Sequence, residues 1–191
     1  MQQKIGVLGL YNQMIRSVDI DYNWSIFLNG DYDIPAYSCA TYQPQDMPDI
    51  YEPYGGFPDS YVLENTTIYQ LWWDDKKLFS DLGELLDIDV VSISTIKQPC
   101  GSAVARHRDF FYKIKSEFPN DTRDPVRANI YLEDWDPGHM IQYEIDGNWL
   151  NSTHWKAGQG FTWDQNHEHI SMNAGLKPKY TLQVSGFDIK E

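Results

Sequence analysis

His169-Ile-Ser-Met-Asn173, the joint Ala174-Gly175, and then Lys179-Tyr-Thr-Leu-Gln-Val184 form the stretch on which the fold turns. Polar and apolar residues alternate on both sides of the glycine, with β-branched and aromatic side chains frequent, as in two half-buried strands. Read outward toward the N-terminus, the same signature recurs over residues 90–96, 128–132, 139–145 and 160–163. Asp136-Pro137-Gly138 and Asp146-Gly147-Asn148 stand at the joints, where Pro presets φ and Gly or Asn accepts the left-handed backbone of a tight turn. Short strands separated by turn chemistry predict an antiparallel β-sandwich or jelly roll. The expected fold is therefore mainly β, a double-stranded β-helix over residues 90–187.

Ahead of that core, Leu78, Phe79, Leu82, Leu85 and Leu86 recur at helical spacing, so Lys76–Leu86 reads as an amphipathic helix backing a sheet. Residues 30–61 crowd Pro35, Pro44, Pro48, Pro53, Gly55, Gly56 and Pro58 among tyrosines and aspartates, which discourages regular structure. That segment is either an aromatic-rich arm over a pocket or a packed surface loop. Residues 1–89 are thus expected to supply N-terminal helices and an arm that support the core. With 191 residues, no internal repeat and no linker, one domain is expected.

Composition excludes some functions. The formal net charge is −13 and no basic cluster stands against it, so a phosphate-gripping nucleic-acid binder is excluded. No stretch approaches the roughly 18 apolar residues of a membrane helix, and the mixed opening Met1-Gln2-Gln3-Lys4-Ile5-Gly6 reads as cytoplasmic. Cys39 and Cys100 are far apart and match no ligand spacing, so both are expected as free thiols. Oligomeric state has no sequence signal.

The chemistry concentrates in His107-Arg108-Asp109 and His169. On a strand, residues two apart share a face, so His107 and Asp109 project together while Arg108 turns away. A lone His-x-Asp recurs by chance, but His169 adds a second imidazole. Two histidines and one carboxylate on one face of a metal are the ligand set of non-haem Fe(II) oxygenases. His167 rivals His169, since it too lies ten residues before a lysine, Lys177. Asn173, Pro178 and Leu182 fit the His169 register. His139, after a turn, and His154, before a tryptophan, read as surface or internally satisfied histidines.

These motifs resemble the Fe(II)/2-oxoglutarate-dependent oxygenases, most closely the aspartyl/asparaginyl β-hydroxylase-like branch, across residues 93–186. In that family a strand and turn precede the His-x-Asp, as Ile93-Ser-Thr-Ile-Lys-Gln-Pro99-Cys-Gly101 does here. Where the family has an Arg-x-His-x-Pro-Leu-like strand, this chain has Arg127-Ala-Asn129-Ile-Tyr131-Leu132. Trp155-Lys-Ala-Gly158 and Phe161-Thr-Trp163-Asp164 match the run before the distal histidine. The distal element, His with Asn four on and a basic residue ten on, appears as His169, Asn173 and Lys179.

The resemblance implies Fe(II) held by His107, Asp109 and His169, with 2-oxoglutarate as co-substrate and dioxygen as oxidant. It places Lys179 on the remote carboxylate of 2-oxoglutarate, with Arg127 and Asn129 either supporting the metal ligands or contacting 2-oxoglutarate, and Tyr131 as a further contact. Lysine keeps the charge of the family's arginine but gives up its bidentate fork, so a neighbouring hydroxyl or amide is expected to share the carboxylate. If Asn173 and Lys179 face each other across the turn, His169, Asn173 and Lys179 share one face of a hairpin. The metal and carboxylate ends would then lie about 10 Å or more apart at roughly 3.3 Å per residue.

The implied activity is hydroxylation of an amino-acid side chain, in a free small molecule, a peptide or a protein. Nucleic-acid demethylation is disfavoured, because the second arginine of that branch is absent. Two alternatives stay open: a cupin-type metal enzyme using His167-Glu168-His169, and a catalytically silent ligand-binding β-sandwich.

Overall fold

The computed structural model describes residues 15–32, 35–37, 48–56 and 66–189. The opening hexapeptide, Cys39 and much of the aromatic-rich arm lie outside them. Eleven strands are described: β1 Arg16–Asp19, β2 Pro35–Tyr37, β3 Thr67–Trp73, β4 Ile88–Gln98, β5 Ser102–His107, β6 Pro125–Tyr131, β7 His139–Ile145, β8 Asn148–Ser152, β9 Gln159–Asp164, β10 His169–Asn173 and β11 Lys179–Asp188. The helices are α1 Ser25–Leu28, α2 Pro48–Tyr51, α3 Lys76–Leu86 and α4 Tyr112–Glu117, with a 3-10 turn at Glu52–Tyr54.

Two sheets form. One has seven strands in the order β1-β9-β6-β11-β4-β3-β2, the other four in the order β5-β10-β7-β8. Every pairing is antiparallel. From β4 to β11 the chain changes sheet at every step except the β7–β8 hairpin, which is the double-stranded β-helix, or jelly roll, expected from the strand pattern. The region before residue 90 contributes more sheet than expected, because β1, β2 and β3 extend the larger sheet at its two edges. β2 begins with Pro35 and is the edge strand on that side among the described residues, a place where proline is tolerated.

Local chemistry explains the elements. Asp75 caps α3, its carboxylate accepting from the N–H groups of Lys77 at 2.8 Å and Leu78 at 3.2 Å. The helix buries Leu78, Leu82 and Leu86 against Ile88, Ile93, Val126, Ala128, Ile130, Leu182 and Val184 on the outer face of the larger sheet. The β7–β8 hairpin closes through Asp146 (φ 51°) and Gly147 (φ 79°), two left-handed residues in succession that match the twist of the strands.

One expectation is overturned. β10 and β11 do not form a hairpin: β10 pairs with β5 and β7, whereas β11 pairs with β4 and β6. Pairing the two would leave the long apolar row of β11 without its place between β4 and β6, so the turn at residues 174–178 carries the chain across the sandwich. Among the described residues, no helix is long and apolar enough to cross a membrane. Cys100 is a free, exposed thiol.

Candidate metal centre

His107 is the last residue of β5 and His169 the first of β10, and the two are direct partners across the ladder. Their rings lie 4.1 Å apart, centroid to centroid. Asp109 follows just beyond the end of β5, and Arg108 between them turns outward to grip Asp49 through contacts of 2.6 and 2.7 Å. One ligand atom from each of His107, Asp109 and His169 lies within 4.8 Å of the others, a grouping that could hold a metal ion.

The imidazoles are oriented by backbone. His107 Nδ1 lies 2.8 Å from the Ala105 carbonyl, and His169 Nδ1 lies 3.2 Å from the His167 carbonyl. A carbonyl can only accept, so each Nδ1 carries the proton and each Nε2 keeps its lone pair for the cluster. Burial lowers the pKa of His107, and burial followed by the neighbouring His107 pushes His169 down to about 3. Both rings are therefore neutral near pH 7, the form in which imidazole binds a metal.

Asp109 is charged for the opposite reason. Burial alone would raise its pKa, but Arg127, then the two imidazoles, then the Trp163 N–H outweigh it and hold the carboxyl at about 2. Arg127 Nη1 donates to Oδ1 at 2.6 Å and Trp163 Nε1 donates to Oδ2 at 3.0 Å. Arg127 is itself fixed by Ser185 Oγ at 2.9 Å and by the Phe111 ring, 5.2 Å from its guanidinium carbon. Phe111 sits in the left-handed region at φ 53°, a strained place for a bulky residue and one that aims its ring at Arg127.

A cavity of about 370 Å³ opens beside the cluster, lined by His107, Asp109, Arg127, Asn129, His169 and Ser171 among others. Its floor is the inner face of the larger sheet, and Trp72 and Tyr112 stand at its mouth. Asn129 Oδ1 is buried and has no hydrogen-bond partner among the described residues.

Lys179 lies behind Ser171. Its ammonium donates to Ser171 Oγ at 2.7 Å, Met172 O at 3.0 Å and Met140 O at 3.1 Å, so it spans from the larger sheet to the smaller one. Burial draws its pKa down to about 7. Ser171 Oγ donates onward to Gln98 Oε1 at 2.8 Å, which supplies a hydroxyl and an amide beside the lysine. Asn173 braces the adjoining turn, donating to Gln98 O at 3.0 Å and Lys177 O at 2.8 Å.

Other sequence candidates fall elsewhere. Tyr131 points inward but stacks on Trp155 at 3.8 Å and donates to Ser152 Oγ at 2.8 Å, away from the cavity. His167 is buried with Nδ1 2.9 Å from Asp164 Oδ1. His139 is satisfied by Lys177 O at 3.0 Å, and His154 is exposed and stacked on Trp135. Sequence reasoning missed the roles of Trp163 at Asp109 and of Ser171 and Gln98 at Lys179. The register of β10 would have signalled Ser171, because it lies two residues from His169 on the same strand face.

No family model and no curated protein sequence matches the chain. Among solved structures it is similar to a prolyl-4-hydroxylase from Pseudomonas putida, with TM-score 0.48, 20% identity, and 63% of this chain and 70% of that one covered. It is also similar to a prolyl hydroxylase from Trichoplax adhaerens in complex with a hypoxia inducible factor peptide fragment, with TM-score 0.47, 15% identity, and coverages of 85% and 86%. A predicted oxalate decarboxylase from Thermotoga maritima follows at TM-score 0.40 and 16% identity, with 63% of this chain and 81% of that one covered. Similarities this remote assign no activity.

Proposed function

We propose that this chain is an Fe(II)- and 2-oxoglutarate-dependent oxygenase that hydroxylates an amino-acid side chain, free or within a peptide or protein. The observation that carries the reading is the convergence of His107, Asp109 and His169, one ligand atom of each within 4.8 Å of the others, with both Nδ1 atoms on backbone carbonyls and the carboxylate held ionised. Two neutral imidazoles and one carboxylate suit Fe(II) and leave positions for a chelating co-substrate and dioxygen.

Each residue has a definable task. His107, His169 and Asp109 would hold the metal. Arg127 and Trp163 occupy lone pairs on both carboxylate oxygens, which favours binding through one oxygen and keeps positions open. Lys179, with Ser171 and Gln98 beside it, would receive the remote carboxylate of 2-oxoglutarate, whereas Tyr131, turned to Trp155 and Ser152, is not given that task. Arg127 and Asn129 line the cavity together with Ser171 and Gln98, and Lys179 lies behind Ser171. When bound, Fe(II) with 2-oxoglutarate and dioxygen supplies the oxidising power that places a hydroxyl on a C–H bond, with succinate and carbon dioxide as co-products.

The cupin alternative asks His167 to share the metal with His169. The bond from His167 to Asp164 weighs against it.

Anaerobic mixing of the protein with Fe(II) and 2-oxoglutarate should give a visible charge-transfer band, and air should then release succinate. His107→Ala should abolish both. A wild-type protein that shows neither would overturn the oxygenase reading.

A further inference from the structure

Resting on the proposed function, we infer that the substrate is a free α-amino acid, its carboxylate received by Arg127 and its ammonium by Asn129, rather than a residue inside a polypeptide. The two side chains are neighbours two apart on β6, both lining the cavity beside the metal cluster. Residues so spaced on one strand face stand about 7 Å apart, a gap that a small zwitterion bridges.

Charge balance carries the first half. Asp109 is the one carboxylate among the described residues lining the cavity, in a chain whose net charge is −13. A divalent cation and Lys179 would bring three positive charges, and Asp109 with the two carboxylates of 2-oxoglutarate would bring three negative ones. Lys113, which also lines the cavity, is exposed and lies 4.0 Å from Glu117, so Arg127 is the part-buried cation left in excess once Asp109 also serves the metal. Its Nε and one Nη1 proton are used by Ser185 and Asp109, and the remaining N–H groups are available to an anion. An unmatched charge in a half-closed cavity is costly, and a substrate carboxylate relieves it.

The second half rests on Asn129. It is only 8% exposed, it lines the cavity, and its Oδ1 has no donor among the described residues. A buried acceptor without a partner is uncommon and costs stability unless something donates to it. An ammonium group supplies the donor. A residue within a peptide chain would offer these side chains only a neutral amide N–H and C=O, with no charge to set against Arg127.

Calorimetric titration of the Mn(II)- and 2-oxoglutarate-loaded protein with the L-amino acids tests this, each compared with its N-acetylated, C-amidated form. At least one free amino acid should bind, and its blocked form should bind about thirtyfold more weakly or worse. Arg127→Gln should lose the free amino acid by a similar factor. Because that change also leaves Asp109 short of a partner, Asn129→Leu serves as the second variant. It touches no metal-cluster residue and should weaken the free amino acid about tenfold while Mn(II) and 2-oxoglutarate still bind. Equal affinity for free and blocked forms, no binding by any free amino acid, unchanged affinity in Asn129→Leu, or loss of 2-oxoglutarate instead would each overturn the inference. Failure of wild-type protein to bind 2-oxoglutarate with Mn(II) is a separate observation, and it would overturn the oxygenase reading itself.

Discussion

The two faces of the larger sheet are written by alternate residues of the same strands, yet they are built for different ends. On β6 and β11 the outward row is Val126, Ala128, Ile130, Leu182 and Val184, each 3% exposed or less and packed under α3. The inward row is Arg127, Asn129, Tyr131, Thr181, Gln183 and Ser185, facing the other sheet across the sandwich. An apolar inner face would have made a more stable sandwich, because buried polar groups at best break even. The outer face therefore carries stability and the inner face carries chemistry. Substitutions on the two faces should separate cleanly.

The largest effect is expected on the outer face. Leu182 is fully buried, and Leu182→Ala should cost about 2–5 kcal/mol in denaturant unfolding, while the folded fraction keeps its metal stoichiometry. On the inner face, Lys179→Ala should raise the 2-oxoglutarate requirement by the equivalent of about 2–5 kcal/mol while leaving metal binding intact. An unchanged requirement would move the carboxylate anchor elsewhere. Trp163→Phe removes the donor to Asp109 and should weaken metal binding by about 1.5–3 kcal/mol, with some loss of melting temperature from the space the smaller ring leaves. Smallest is Asp75→Ala at the cap of α3, about 1 kcal/mol of stability with no effect on ligand binding.

Acid should attack the inner face first. His169 drops from an ordinary value of 6.5 to about 3 and His107 is also lowered, so below about pH 6.5 the unfolded chain takes up protons that the native cluster refuses. Asp109, lowered from 3.8 to about 2, extends the effect to lower pH. More protons on the unfolded state means that stability falls as pH falls across this window. Lys179, lowered from 10.5 to about 7, has the same sign at the alkaline end: stability rises as pH rises from about 7 toward 10.5. Melting temperature measured from pH 4 to 7 should show a shallower slope in His169→Gln than in wild type.

The outer face was legible in the sequence and the inner face only in part. Alternation located β4, β6, β7, β9, β10 and β11 to within a few residues, and the leucine spacing placed α3 over its observed span, because each of these signals is local. The runs did not pick out β1, β2, β3, β5 or β8; on β3 and β8 the exposed Trp72 and Trp149 blur the two-residue period. Sheet membership is a long-range property, which is why β10 and β11 read as a hairpin although they lie in opposite sheets. The cluster of His107, Asp109 and His169 was legible through residue type and spacing. Of its supports, Arg127 carried that role as one of two readings, and Trp163 gave no signal, because it reaches Asp109 across 54 residues of chain.

The central claim is that the metal lies between His107, Asp109 and His169, and equilibrium binding of Fe(II) under anaerobic conditions tests it most directly. Wild-type protein and His167→Ala should each bind one equivalent, because His167 serves Asp164, whereas His169→Ala should bind none. If His167→Ala loses the metal and His169→Ala retains it, the centre has been assigned to the wrong histidine.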